Sequence, residues 1–281
     1  MFIMIIDWKK IASERYDEIK SLVSGLKDSK IKLVVILVWN NPSSLRYIRQ
    51  KEKWALYVWI GFELIHLDEN VSENELFSVI ERENKNSETT WILVQMPLPK
   101  HIDEKKVINL INPLKDVDWF TQINQWKVLI WDDTGFLPCT PAWVMDILKY
   151  EKVDLVWKVV TVIWKSNIVW KPLTMLLINA SATVISCNSK TKDLSKFTKM
   201  SDIVILAAWK PWLLTLEMIN NDTIVIDVWF TIVDWKIYGD ANYNEIESNW
   251  NMITPVPWWV WLLTVVNLMN NVYKSYLLQN N

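Results

Sequence analysis

Glycine is the residue that this chain most clearly lacks: the sequence holds 4 glycines in 281 residues. Ordinary proteins contain about 7% glycine, so roughly twenty are expected. Tryptophan, by contrast, occurs 20 times. Several tryptophans follow aspartate where turn chemistry favours glycine, as in Asp7-Trp8, Asp118-Trp119 and Asp234-Trp235. Counted together, the two residue types restore an ordinary glycine content.

We therefore hypothesise that the tryptophans are glycines in the living protein. A gene in which UGA encodes glycine would give this sequence when a translation table reads UGA as tryptophan. The alternative is a genuinely tryptophan-rich protein. It would place indoles at turns and close approaches that disfavour any side chain. Residue names below follow the sequence as written.

Other kinds of residue are also scarce. The 2 cysteines, Cys139 and Cys187, lie far apart and favour a reducing compartment, so we expect a cytoplasmic protein. The 2 histidines, His66 and His101, form no zinc pattern, and no metal site is expected. A net charge of −2 gives no bulk attraction to nucleic acid or anionic membrane. No apolar run has membrane-spanning length, and the apolar start, residues 1–6, predicts a strand rather than a signal peptide.

Strand-length apolar segments alternate with helix-length amphipathic segments, which predicts an α/β protein with mostly parallel sheets. Strands are predicted at 32–38, 62–67, 91–95, 182–187, 202–207 and 223–228. Helices are predicted at 10–27, 42–57, 73–83, 103–111, 141–150, 192–198, 215–219 and 260–276. A hairpin is predicted at 230–238, while 112–139 is predicted to be rich in loops. We expect two domains with a boundary near 140–150.

The segment from Val159 to Trp170 is central to the interpretation. Residues 159–163 are mostly β-branched, as in a strand buried on both faces, and a helix is predicted to begin near Trp170. Between strand and helix, dinucleotide-binding units carry glycines that let the backbone approach a pyrophosphate. With glycine at 164 and 170 the pattern still departs from the strict G-x-G-x-x-G spacing, so alone it is a moderate signal.

The residues after the next predicted strand bear on the choice of cofactor. NAD enzymes usually place an acidic residue there to bind the ribose 2′-hydroxyl. This chain has Ser189, Lys190 and Lys192 instead. Hydroxyl and ammonium groups suit a 2′-phosphate, which favours NADP over NAD.

Two positions in the first half are candidates for chemistry. Tyr47 and Lys51 are four residues apart on one predicted helix and share a face, so Lys51 is a candidate base; the alternative is an ordinary solvated face. Gln95 ends a predicted parallel strand, at the edge where ligands bind; the alternative is a polar strand cap.

Two further positions are less specific. Asp116 or Asp118 is a candidate anchor for a substrate amide or ring nitrogen, and the alternative is a turn aspartate. We interpret Cys139 as a packing residue because no histidine lies near it in sequence.

Together these motifs resemble the bifunctional methylenetetrahydrofolate dehydrogenase/methenyltetrahydrofolate cyclohydrolases. The matching stretches follow the family's order across nearly the whole chain, at 47–51, 92–102, 115–120, 138–141, 164–172, 225–229 and 253–261. Wherever a matching stretch contains tryptophan, the family pattern has glycine. This agreement supports the glycine hypothesis independently of composition.

The resemblance implies a domain organisation and an activity. It implies a folate-binding catalytic domain at 1–143, completed by the C-terminal helix 260–281, and a Rossmann-type NAD(P)-binding domain at 144–259. The implied reactions are NADP-dependent oxidation of 5,10-methylenetetrahydrofolate and hydrolysis of the methenyl product to 10-formyltetrahydrofolate. The family also implies a homodimer, with no nucleic-acid or membrane partner.

The resemblance assigns roles to single residues. Lys51 looks like the catalytic lysine, Tyr47 like the ring that packs on the folate, and Gln95 like the partner of Lys51. Asp118 looks like the pterin anchor. The remaining matches are the phosphate-binding turn (Trp164, Lys165, Ser166), the 2′-phosphate contact (Ser189), a nicotinamide-side contact (Phe230) and the folate loop (Pro257, Trp258, Trp259).

The chain departs from the family pattern besides its tryptophans. Lys165 and Asn188 stand where Arg and His are commoner, so NAD remains the alternative cofactor. Leu262 and Leu263 replace a usual Pro-Met. If the tryptophans are real, the chain is a non-catalytic remnant or does not fold. A monofunctional dehydrogenase is a third interpretation, which the intact set of Tyr47, Lys51 and Gln95 disfavours.

Overall fold

A computed structural model describes residues 8–26, 31–39, 42–116, 118–164, 167–249, 251–256 and 260–280. These residues form two compact units, one holding 12–139 with 264–280 and the other holding 8–11 with 140–263. The strand predicted at 1–6 lies outside the described residues. No described helix is long and apolar enough to cross a membrane.

The elements alternate along the chain as the pattern predicts. The helices are α1 (Trp8–Ser24), α2 (Pro42–Tyr57), α3 (Glu73–Lys85), α4 (Glu104–Leu110), α5 (Gln122–Leu129), α6 (Cys139–Tyr150), α7 (Asn167–Asn179), α8 (Leu194–Thr198), α9 (Tyr243–Ser248) and α10 (Val260–Asn280). The strands are β1 (Lys32–Val38), β2 (Gly61–Leu67), β3 (Trp91–Val94), β4 (Val159–Trp164), β5 (Thr183–Cys187), β6 (Ile203–Ala207), β7 (Ile224–Asp227), β8 (Phe230–Val233) and β9 (Lys236–Gly239).

The first unit is built on a parallel sheet in the order β2-β1-β3. Six of the seven residues of β1 are buried, as expected for a central strand covered on both faces. On one face, Val34 and Ile36 pack with Leu76 and Ile80 of α3 and with Val107 of α4. The chain leaves β1 on one side and returns on the other, so the ends of β1 and β3 flank a switch point where ligands bind in such sheets.

The C-terminal helix completes this first unit. Ser275 donates a hydrogen bond to the Leu114 carbonyl at 2.6 Å, and Asn271 donates one to the Leu137 carbonyl at 2.8 Å. Both side chains are buried. The prediction that the last helix packs on the first domain is therefore confirmed.

The second unit is a doubly wound parallel sheet in the order β5-β4-β6-β7. Its switch point lies between β4 and β6, at their carboxyl ends. An antiparallel hairpin, β8–β9, follows. Asp234 and Trp235 form its turn with φ values of 48° and 63°, the two positive angles that a type I′ turn requires.

The structure differs from the predicted elements in four places. The segment 112–139 contains α5, and α9 was not predicted. The helix expected near Trp170 begins at Asn167, and the helix expected at 215–219 is a single 3-10 turn at Leu216–Met218. α5 has eight residues and α9 has six, too few for hydrophobic periodicity to define them.

Backbone angles test the glycine hypothesis directly. Twelve described residues other than glycine have positive φ, and none of the four glycines does. Eight of the twelve are tryptophans: Trp39, Trp59, Trp119, Trp131, Trp157, Trp209, Trp212 and Trp235. Each such conformation costs a bulky residue about 1–3 kcal/mol. The eight together would cost as much as the whole stability of an ordinary domain, about 5–15 kcal/mol.

The interior gives a second sign. Five indole N–H groups are buried and have no hydrogen-bond partner among the described residues: those of Trp54, Trp91, Trp119, Trp143 and Trp170. Buried tryptophans normally find an acceptor, because an orphaned donor costs about 1–3 kcal/mol. Glycine has no such group to satisfy.

Replacing glycine by tryptophan at one position at a time should change the stability differently at turn positions and at helix positions. We define the glycine form as the protein made with glycine at all twenty tryptophan positions. Restoring Trp235 alone should lower the free energy of unfolding by about 1–2 kcal/mol, because φ there is positive.

The matched control restores Trp126 alone, which is exposed in α5. It should leave stability unchanged or raise it by a few tenths of a kcal/mol, because glycine is the poorer helix former. Urea unfolding followed by circular dichroism measures both. Equal effects at the two positions would contradict the backbone argument.

Candidate active site

Lys51 and Gln95 meet at the switch point of the first unit. The Lys51 Nζ atom donates a hydrogen bond to Gln95 Oε1 at 3.0 Å. Lys51 lies on α2, the helix that follows β1, and Gln95 follows the last residue of β3. The Gln95 backbone N–H continues the sheet pairing with the Ile36 carbonyl at 2.9 Å, which fixes the position of the glutamine.

Asp118 is brought to the same place by a short extension of the sheet. Asp116 forms an isolated parallel bridge with Ile92 of β3. The buried Asp116 carboxylate then accepts hydrogen bonds from the Phe120 and Thr121 backbone N–H groups at 3.1 and 2.8 Å. These hydrogen bonds hold residues 120 and 121 close to Asp116, so Asp118 lies in a loop of restricted conformation.

The site is electrostatically coupled. Partial burial lowers the pKa of Lys51, and the charge of Asp118 opposes that shift. Burial also raises the pKa of Asp118, opposed by Lys51 and reinforced by Asp116. A lysine with a lowered pKa is more often uncharged, so it is better able to take a proton from a bound reactant.

Tyr47 lies one helical turn before Lys51 on α2. Its side chain is 36% exposed. Because both residues lie on this helix four positions apart, Tyr47 and Lys51 share one helix face, as predicted. An exposed phenol ring at this position offers a surface on which an aromatic ligand can pack.

Cys139, which the sequence did not single out for chemistry, also belongs to this cluster. Its thiol, at the start of α6, interacts electrostatically with the Asp118 side chain. Burial, reinforced by the charge of Asp118, raises the pKa of this thiol well above its usual value. The group is therefore a protonated donor rather than a thiolate nucleophile. No local pattern could reveal this contact, because 20 residues separate the partners in the sequence.

A separate cavity of about 460 Å³ lies in the second unit, at the carboxyl ends of its strands. Its lining includes Trp164 at the end of β4, Ser189 after β5 and Lys210 after β6. These positions surround the switch point of the doubly wound sheet. Lys210 and its neighbour Ala208 were not predicted to take part.

The two tryptophans at the predicted phosphate turn stack on each other. The rings of Trp164 and Trp170 have centroids 3.6 Å apart and planes 15° apart. The Trp164 indole N–H also donates to Ser186 Oγ at 2.9 Å. The two indoles thus cover the backbone N–H groups that a phosphate-binding turn would leave exposed to its ligand.

The other predicted site residues are placed as follows. Phe230 opens β8, and its ring lies 6.1 Å from that of Trp229. Lys165, Ser166, Pro257, Trp258 and Trp259 lie outside the described residues. Among the residues described, no group of three or more His, Cys, Asp or Glu side chains is arranged to hold a metal ion.

Two family models match the chain. One is described as "Tetrahydrofolate dehydrogenase/cyclohydrolase, catalytic domain" and matches residues 6–118. The other is described as "Tetrahydrofolate dehydrogenase/cyclohydrolase, NAD(P)-binding domain" and matches residues 138–280.

Whole-chain comparisons agree with these matches. The bifunctional protein FolD of Exiguobacterium sibiricum is 42% identical over 274 residues, which cover 97% of this chain and 99% of that protein. The crystal structure of the bifunctional FolD enzyme from Campylobacter jejuni has a TM-score of 0.94 at 38% identity and covers 98% of this chain and 99% of its own. The Trypanosoma brucei FolD structure, complexed with NADP cofactor and inhibitor, has a TM-score of 0.87 at 30% identity and covers 97% of this chain and 95% of its own.

The coupling between Lys51 and Asp118 predicts the effect of removing the carboxylate. In Asp118→Asn the pKa of Lys51 should fall further, because the charge that stabilises its ammonium form is gone. The pH dependence of lysine NMR signals measures this shift. Asp103→Asn, at the N-terminus of α4, is the control and should leave Lys51 unchanged. A rise in the pKa of Lys51 in Asp118→Asn would contradict the arrangement.

Proposed function

Because this chain belongs to the tetrahydrofolate dehydrogenase/cyclohydrolase family, we propose that it is a bifunctional enzyme of folate one-carbon metabolism. It oxidises 5,10-methylenetetrahydrofolate to 5,10-methenyltetrahydrofolate with NADP. It then hydrolyses the methenyl compound to 10-formyltetrahydrofolate. The observation that carries the proposal is the hydrogen bond from Lys51 to Gln95, with Asp118 beside it.

Lys51 is the base of the hydrolytic step. Water attacks the cationic methenyl carbon, and Lys51 takes one of its protons, which the lowered pKa of the amine favours. The added hydroxyl then gives up its remaining proton as the bond from that carbon to one folate nitrogen breaks, and that nitrogen takes up a proton, so a formyl group remains on the other nitrogen. Gln95 keeps the amine in place through its amide oxygen.

Tyr47 and Asp118 hold the folate. The exposed ring of Tyr47, one turn from Lys51, packs on the aminobenzoyl group. Asp118 anchors the pterin ring, and its raised pKa lets it exchange a proton with ring nitrogens. Pro257, Trp258 and Trp259 belong to the loop proposed to cover the folate. Orientation of this kind supplies much of the rate when one site serves two steps.

Bound NADP would supply the acceptor for the hydride that leaves the methylene carbon of the folate. The residues around the cavity of the second unit suit it: Ser189 and Lys210 offer a hydroxyl and an ammonium group at the sheet's switch point. Trp164, Lys165 and Ser166 form the proposed phosphate turn, with Ser189 at the 2′-phosphate and Phe230 on the nicotinamide side. No step in this scheme requires a metal ion.

A non-catalytic remnant requires real tryptophans at eight positions of positive φ. A monofunctional dehydrogenase would have no hydrolytic step for the Lys51–Gln95 pair to serve. We propose that residues 1–143 with 260–281 bind the folate and that residues 144–259 bind the dinucleotide.

We also propose a cytoplasmic homodimer that binds neither nucleic acid nor membrane. The hairpin β8–β9 exposes the apolar side chains of Ile232 (61%), Val233 (40%) and Ile237 (38%), which suit a contact with a second copy. Both cysteines are free, as in a reducing compartment. Light scattering at the mass of one chain would contradict the dimer.

Lys51→Met tests the function. The cyclohydrolase rate should fall by about 10²–10⁴-fold, the usual contribution of a positioned base, and the dehydrogenase rate should fall with it. Lys53→Met, on an exposed position of the same helix, is the matched control and should keep both rates. Absorbance of the methenyl compound and of the reduced cofactor follows the two steps. An unchanged cyclohydrolase rate in Lys51→Met would exclude Lys51 as the base.

A further inference from the structure

One buried carboxylate accepts hydrogen bonds from three successive backbone N–H groups beside the cavity of the second unit. Asp240 accepts hydrogen bonds from Ala208 at 2.5 Å and Trp209 at 3.0 Å through Oδ2, and from Lys210 at 2.6 Å through Oδ1. The Asp240 residue is fully buried. Three hydrogen bonds to one carboxylate restrict the conformation of the loop 208–210 more than a single bond would.

A second aspartate holds Asp240 in turn. Asp227, at the end of β7, accepts the Ala241 N–H at 2.8 Å, and its carboxyl group also bonds the backbone of Asp240. Gly239 lies so close that an added Cβ would stand 2.3 Å from Asp227 Oδ2. The segment 239–241 is therefore clamped against the sheet.

The loop that Asp240 holds is one wall of the cavity. Ala208, Trp209 and Lys210 all line it, at the end of β6 where the sheet's switch point lies. At Trp209 the chain turns with φ of 60°, which a carboxylate bonded to both neighbours helps to maintain. Asp240 itself does not line the cavity.

We propose that Asp240 is a positioning residue for the dinucleotide: by binding the three N–H groups of 208–210, it fixes the cavity wall that receives the cofactor. The inference rests on the proposed function. It assigns Asp240 to cofactor affinity rather than to chemistry or to folate binding.

Asp240→Asn in the glycine form tests this role, because the amide replaces one acceptor oxygen by a donor. The KM and the calorimetric Kd for NADP should rise by about tenfold to a hundredfold, the usual effect of losing a charge-assisted hydrogen bond. The dehydrogenase kcat at saturating NADP should stay within about twofold. The cyclohydrolase rate, measured without NADP, should also stay within about twofold.

Asp202→Asn is the matched control. Asp202 accepts hydrogen bonds from the Val159 N–H at 2.8 Å and the Lys158 ammonium group at 3.2 Å, at the amino ends of β4 and β6 and away from the cavity. It should leave the KM for NADP unchanged. A parallel loss of both activities in Asp240→Asn, with a lowered melting temperature, would show a merely structural role and overturn the inference.

If Asp240→Asn does not fold, Ala208→Pro gives the answer. It removes one donor to Asp240 at a position that follows a strand, where proline is tolerated. The KM for NADP should rise, and an unchanged KM would overturn the inference. If the parent protein itself binds no NADP, the proposed function falls as well. If the parent binds NADP and Asp240→Asn binds it equally, only the positioning role falls.

Discussion

The fold depends on backbone that turns through positive φ directly beside its strands and helices. Trp39 follows β1, Trp59 follows α2, Trp209 follows β6 and Trp235 closes the hairpin, all with φ between 60° and 68°. A residue without Cβ adopts such angles at no steric cost, whereas a bulky residue does not. Short turns of this kind let parallel strands end together and leave their carboxyl edges free for ligands.

The same constraint explains why the two ligand regions look so different. The proposed folate region is formed by side chains, with Lys51 hydrogen-bonded to Gln95 and electrostatically coupled to Asp118. The proposed dinucleotide region depends instead on exposed backbone N–H groups. The stacked rings of Trp164 and Trp170 cover the turn that would provide them. Glycine at these two positions would reconcile the structure with the family to which the chain belongs. Composition, backbone angles and family membership thus lead to one account.

Much of this could be predicted because the signals are local. The buried run of β1, the proline at the start of α2 and the Asp-Trp turn of the hairpin each define their element through neighbouring residues. What could not be predicted depends on contacts between distant residues. The interaction of Cys139 with Asp118 and the hydrogen bonds from 208–210 to Asp240 join separate parts of the chain. α5 was missed because it is short and is fixed by Thr121, which accepts the Asn124 N–H, and by the buried Asp116 rather than by periodicity.

The most direct test is the intact mass of the protein purified from its own host, with tandem mass spectra across residues 157–172. We predict glycine at 157, 164 and 170, and a total mass lower than that of the written sequence by the difference for all 20 positions. Glycine at these positions would leave the phosphate-binding turn open, as the proposed enzyme requires. Tryptophan at 164 and 170 would contradict the account, because the cofactor turn would then be blocked by its own side chains.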